Sequence, residues 1–174
     1  MPLGFRLWSV GIYSKRVRQI LFVARVIARQ RGADAVDVAD MLLGLIWEDQ
    51  QRLDDAFSGS AQRGRSPGSL KAVDHVPFLA PIVSADLVRR IEERFPRSEH
   101  FVGAIDLPMS TRVKEVLAGA GAIMRHHKRR KIEPLHLLAA MLAEESGQSA
   151  EILQAAGITE EAVRQAIVTG GDTQ

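Results

Sequence analysis

At 174 residues, 46% hydrophobic and 25% charged, the chain has enough apolar side chain for an ordinary buried core, as one domain or as two small fused ones. It contains no cysteine, which excludes disulfides and thiolate chemistry and fits a reducing compartment, so the cytoplasm is the expected location. A net charge of +2 is a slight excess of Lys and Arg, not the signature of a strongly cationic protein.

Residues 1–12 form an apolar N-terminal arm. It carries Arg6 inside the apolar run and is followed by no small-residue cleavage pattern, so it does not read as a signal peptide. No apolar run approaches the roughly 20 residues of a membrane span, and no membrane partner is expected. Ser14 is placed to cap a helix whose apolar residues Val17, Ile20, Leu21, Ala24, Ile27 and Ala28 follow helical spacing. Gly32-Ala33-Asp34 ends it, and Asp37 caps a second helix with Met41, Leu42, Leu45 and Ile46 on its inner face. A short third helix ends near Phe57, closing the 13–57 portion of a first unit. Residues 58–83 are rich in Gly, Ser and Pro and are expected to be an inserted loop. Residues 84–96 read as a fourth helix opened by Ser84 and stopped by Pro96, and 97–108 as a connector.

The helical pattern then restarts. Ser110 repeats Ser14 at an offset of 96 residues, and the block Ser14 to Asp49 runs against Ser110 to Glu145 without a gap. Nine aligned positions are identical: Ser14, Arg16, Val17, Leu21, Ala24, Ile27, Arg29, Leu42 and Glu48 with their partners, where ordinary composition gives roughly two. Val36/Ile132, Asp37/Glu133 and Met41/Leu137 are among the conservative pairs. Glu133-Pro134 opens the second helix of this copy with Pro at its favoured first helical position. Ser149 to Ala156 gives a third helix ended by Gly157, and Thr159 caps a fourth. The second unit therefore spans 109–169, with 170–174 as a tail. The expected fold is all-α: a pseudo-two-fold tandem repeat of two four-helix units.

Paired helical units, each with a capped second helix of the form H-L-L-x-x-L-L, resemble the N-terminal repeat domain of the Clp unfoldases. The second unit is the nearer match. Ile132-Glu133-Pro134-Leu135-His136-Leu137-Leu138, then Ala140-Met141-Leu142 and Ile152 to Ile158, is similar to the ClpB disaggregase version. The first unit keeps Asp37, Met41, Leu42, Gly44 and Leu45 but has Asp40 at the family's His. The resemblance extends from Tyr13 to about Val168 and implies a domain that docks adaptors or substrate polypeptides ahead of AAA+ modules. No G-x-x-x-x-G-K-[ST] string occurs, so the chain is expected to be either a free-standing member or part of a longer protein, with no cofactor. In ClpC-type domains a Glu in each repeat helps hold phosphoarginine. The matching positions here are Ala39 and Leu135, which offer no carboxylate to a guanidinium, so phosphoarginine reading is not expected.

Three other features invite chemistry. Gly64-Arg65-Ser66-Pro67-Gly68 has the G-x-S-x-G form, but it lacks the strand-to-helix context of a nucleophile elbow, and Pro67 removes an oxyanion-hole N–H; it reads as a turn. The five histidines form no H-E-x-x-H, so no metal site is expected. The basic block Arg125-His126-His127-Lys128-Arg129-Arg130-Lys131 falls at a helix–helix join, where a solvated helix end is the plain interpretation and an acidic partner surface the functional one. The reading is a non-enzymatic protein-interaction module that binds an adaptor, a substrate polypeptide or a Clp ATPase in an apolar seam between the halves. Its candidate contacts are Ala39, Leu135, Arg125, Lys128, Arg129, Arg130 and Lys131. The alternative is a small nucleic-acid-associated helical protein using residues 125–131, against which stands the lack of interleaved aromatics.

Overall fold

The computed structural model describes residues 11–49, 89–91, 93, 106–144 and 147–169. The expected third helix before Phe57, the 58–83 loop, most of the 84–96 helix and the 97–105 part of the connector lie outside the described residues, as do residues 1–10 and the 170–174 tail. The described residues form six helices: α1 (Lys15–Gln30), α2 (Val38–Asp49), α3 (Thr111–His126), α4 (Pro134–Leu142), α5 (Gln148–Ala155) and α6 (Glu160–Thr169). Residues 89–91 and 93 are also helical.

The two copies begin and end their first helices by the same local chemistry. Ser14 Oγ accepts from Val17 N–H and Ser110 Oγ from Val113 N–H, each at 3.2 Å, satisfying a donor that the helix start leaves unpaired. At the other end the chain turns into the left-handed region at Gly32 (φ 73°) and at Lys128 (φ 54°), 96 residues on. Ala33 N–H then reaches Ala28 C=O at 3.0 Å and Arg129 N–H reaches Met124 C=O at 2.9 Å, the 6→1 bond of a Schellman cap.

The second helices are the centre of each half. Every residue of α2 is buried, and in α4 all but Leu135 are. The expected inner face of α2 is therefore a face on all sides, as in a helix enclosed by its neighbours. α1 packs on α2 and α3 on α4; α4 also meets α5 and α6, while α2 touches α3, α4 and α5 and so joins the halves. Enclosure buries three acids of α2, and Asp40 and Glu48 are each matched by a guanidinium. Arg16 grips Glu48 in a fork at 2.6 and 2.8 Å, and Arg31 grips Asp40 at 2.8 and 2.7 Å. The 96-residue copy of the first pair is Arg112 to Glu144 at 2.7 Å.

The halves are tied by an exchange of backbone bonds. Tyr13 bridges Ile132 and Val36 bridges Met109, both in parallel sense. Ser14 N–H donates to Ile132 C=O (3.1 Å) and Ile132 N–H to Ile12 C=O (2.7 Å). The copy-exchanged set is Ser110 N–H to Val36 C=O and Val36 N–H to Pro108 C=O, both 2.9 Å. Shifting each residue by 96 converts one set into the other, so the sequence repeat is a pseudo-two-fold axis in space.

Candidate interaction surface

Between α3 and α4 the chain has seven residues, His127 to Glu133, in which to close one helix and open the next. The closure fixes the backbone: His127 is the cap of α3, Lys128 takes the left-handed turn, and Ile132 is held in the bridge to Tyr13. Arg125, His126, Lys128, Arg130 and Lys131 are left exposed around this turn. Arg129 is half-buried, with Nη2 donating to Ile167 C=O at 3.3 Å, so it caps the last turn of α6. The rings of His126 and His127 meet edge to face with centroids 5.1 Å apart. Burial, followed by interaction with the neighbouring His126 and with Arg129 and Arg164, holds the His127 imidazole below its ordinary value.

Behind the turn, α4 opens on a reach-back bond. Glu133 N–H donates to His136 Nδ1 at 2.9 Å, which requires that nitrogen to be unprotonated. Burial, followed by the nearby His127 and Arg129, pushes His136 down to about 4. The first copy makes the same bond with an acid, Asp37 N–H to Asp40 Oδ2 at 2.8 Å. His136 and the Asp40 that replaces it in the first unit thus have a structural task at the helix start. Glu133 itself is pushed up by burial, an effect opposed by its hydrogen bond with Ser14 and by Arg16 and Lys131.

The residues singled out from sequence separate into two places. Arg125, Lys128, Arg129, Arg130 and Lys131 come together on the one turn. Ala39 is buried inside the first unit, and Leu135 is half-buried and packed on the core. Tyr13, Val36, Met109 and Ile132, at the two bridges between the halves, are buried. Among the described residues the exposed large hydrophobic side chain is Val168 at the end of α6. The left-handed Lys128 and the Arg129 cap on α6 were missed by sequence reasoning. The first was within reach, because the 96-residue offset lays Lys128 on Gly32; the second joins residues 38 apart with no local signal. Among the described residues there is no group of three or more His, Asp or Glu able to hold a metal ion, and no helix long and apolar enough to cross a membrane.

The Clp repeat (R) N-terminal domain family matches residues 108–172, the stretch that holds the second unit. No curated protein matches the chain by sequence. Three solved structures share the fold over nearly the whole length. One, from preliminary structural investigations of a malarial protein secretion system, is 22% identical with a TM-score of 0.65, covering 92% of this chain and 95% of that one. The N-terminal domain of the caseinolytic protease associated chaperone ClpD from Arabidopsis thaliana is 19% identical with a TM-score of 0.63, covering 92% and 94%. The Hsp104 N-terminal domain from Candida albicans is 17% identical with a TM-score of 0.59, covering 94% and 93%. Family match and fold agree with the doubled helical plan: residues 108–172 match the Clp repeat (R) N-terminal domain family, within an all-helical tandem-repeat fold similar to that of the N-terminal domains of ClpD and Hsp104.

Proposed function

We propose that this chain is a non-catalytic protein-interaction module of the Clp N-domain kind, working in the cytoplasm and docking an adaptor, a substrate polypeptide or a Clp ATPase in protein quality control. The observation that carries the reading is the Clp repeat match over 108–172 inside a chain whose fold, nearly end to end, is that of chaperone N-terminal domains. The proposed contacts are the basic turn and the half-exposed Leu135 beside it; Ala39, buried at the equivalent place, supports its own unit by packing.

The test is fluorescence anisotropy of a labelled, permanently unfolded polypeptide of near-zero net charge titrated with the full chain, repeated with a Clp ATPase ring, alongside an assay for ATP hydrolysis by the chain alone. Saturable binding to either partner without ATP turnover is the expected result. Failure to bind both overturns the docking reading, and ATP turnover that survives repurification overturns the non-catalytic one.

A further inference from the structure

The duplicated fold contains its own control for the basic turn. Residues 29–35 and 125–131 follow the same path: both close a helix with a 6→1 bond, both pass through the left-handed region, and both lead into a bridge to the other half. The backbone requirement is therefore common to the two, but beyond the shared Arg29/Arg125 the side chains are not. In the first copy the turn reads Arg29-Gln30-Arg31-Gly32-Ala33-Asp34-Ala35, and Arg31 is engaged with the buried Asp40. In the second it holds five Lys or Arg and no acid, and four of those five are exposed. Closing the helix accounts for none of that excess charge.

Lys128 adds a second, independent observation. The first copy meets the left-handed turn with Gly32, the residue that adopts it freely. The second copy puts an exposed Lys there, in a conformation that L side chains adopt at a cost. Gly is the less costly residue in this conformation, so closing the turn does not account for an exposed Lys there.

We infer that the turn 125–131 is a docking surface for an acidic polypeptide segment, with Arg125, Lys128, Arg130 and Lys131 as the cations that receive its carboxylates. This deepens the docking-module reading and rests on it. A short acidic segment fits better than nucleic acid. The cations sit on a single turn and not along a track, and Glu133 lies next to Lys131 in charge contact. Glu160 is held at 2.6 Å by Arg164, whose charge is felt at His127. A phosphate backbone carrying a charge every few ångströms would run onto these carboxylates, and the turn offers no aromatic side chain beyond its histidines on which bases could stack.

The experiment grafts the first copy's residues onto the second: Lys128→Gly, Arg130→Asp and Lys131→Ala, the residues found at 32, 34 and 35 on the same backbone path. Arg129 is kept because it caps α6. The probe is a fluorescein-labelled, Glu-rich peptide of about a dozen residues, with a labelled DNA duplex as the second arm. The full-length parent should bind the peptide with an affinity that falls as salt rises, and the graft should weaken it by at least about tenfold while its thermal unfolding stays cooperative at an equal or higher midpoint. Equal affinity in parent and graft, no peptide binding by the parent, or tighter binding of the duplex than of the peptide overturns the inference. The neutral unfolded polypeptide, run on the parent in parallel, reports on the docking module separately: its binding in the absence of peptide binding sinks the acidic-segment inference alone.

Discussion

Lys128 and Gly32 hold the same left-handed place in the two copies, and only one of them is suited to it. Replacing Lys128 by Gly removes the clash between Cβ and the following carbonyl, so Lys128→Gly should stabilise the protein by about 0.5–1 kcal/mol in urea denaturation. The reverse substitution, Gly32→Ala, has open space around the new Cβ yet the same backbone penalty, and should destabilise by a similar amount. His136 gives the chain a pH dependence of definite sign. Unfolded, it titrates near the ordinary 6.5; folded, it is held near 4 by burial. Above pH 6.5 neither state holds the proton and His136 adds no pH dependence. As pH falls from about 6.5 toward 4 the unfolded chain takes up a proton the folded chain refuses, and stability declines, on the order of 1–3 kcal/mol in total, a loss complete below about 4. Glu133 works against this at the lower end of the window, because its raised pKa lets the folded state take a proton before the unfolded one. The readout is therefore the difference from His136→Gln, whose amide oxygen can accept the same Glu133 N–H without titrating. Urea midpoints of the two proteins should lie close together above about pH 6.5 and separate as pH falls toward 4, with the parent becoming the less stable of the two.

The second helix of each unit is more deeply enclosed than its spacing announces. Met41, Leu42, Leu45 and Ile46 mark one stripe of α2, but Leu43, Trp47 and the acids Asp40, Glu48 and Asp49 on its other sides are buried too. A stripe of apolar residues shows which face must be covered; it says nothing about how many neighbours will cover the rest. The close approach of α1 and α2 is a case that was hidden in the sequence. A Cβ on Gly44 would lie 3.0 Å from the Ile20 carbonyl oxygen, a backbone atom that cannot swing away. Gly44→Ala should cost about 1–3 kcal/mol in chemical denaturation through overpacking at this contact. In the second unit the corresponding helix pair has Ala140 and places its glycine on the opposite helix, where a Cβ on Gly119 would meet Ala140 Cβ at an ordinary 3.5 Å. Gly119→Ala should accordingly change stability by no more than about 0.5 kcal/mol, with improved helix propensity offsetting any crowding.

The reciprocal bridges make each half a part of the other. Four backbone bonds cross between Ile12–Ser14 and Ile132 and between Val36 and Pro108–Ser110, and α2 packs on α3, α4 and α5. An isolated second unit, residues 106–174, would expose the surface that α2 covers and leave Pro108 C=O, Ser110 N–H and both backbone groups of Ile132 to water. It should show no cooperative thermal unfolding by circular dichroism, whereas the full chain should; a cooperative transition in the fragment would mean that the units are independent domains. Much of this architecture is legible in the sequence. Caps, helix stops and the 96-residue repeat depend on contacts between residues a few positions apart, and such contacts leave their mark on neighbouring letters: Ser14 with Val17, Ser110 with Val113, Pro134 at a helix start, Gly157 at a helix end. The Arg16–Glu48 pair was half legible, since both residues recur together at the offset. What the three-dimensional arrangement alone settled is which side chains face water. Tyr13, Val36, Met109 and Ile132 are buried beside a backbone exchange between segments far apart in the chain, which no neighbouring letters announce. The basic run, which by its letters is only a row of cations, becomes a single exposed turn with one member turned inward to cap α6. Both outcomes depend on contacts between distant segments, and burial is a sum over such contacts that no local stretch of sequence carries.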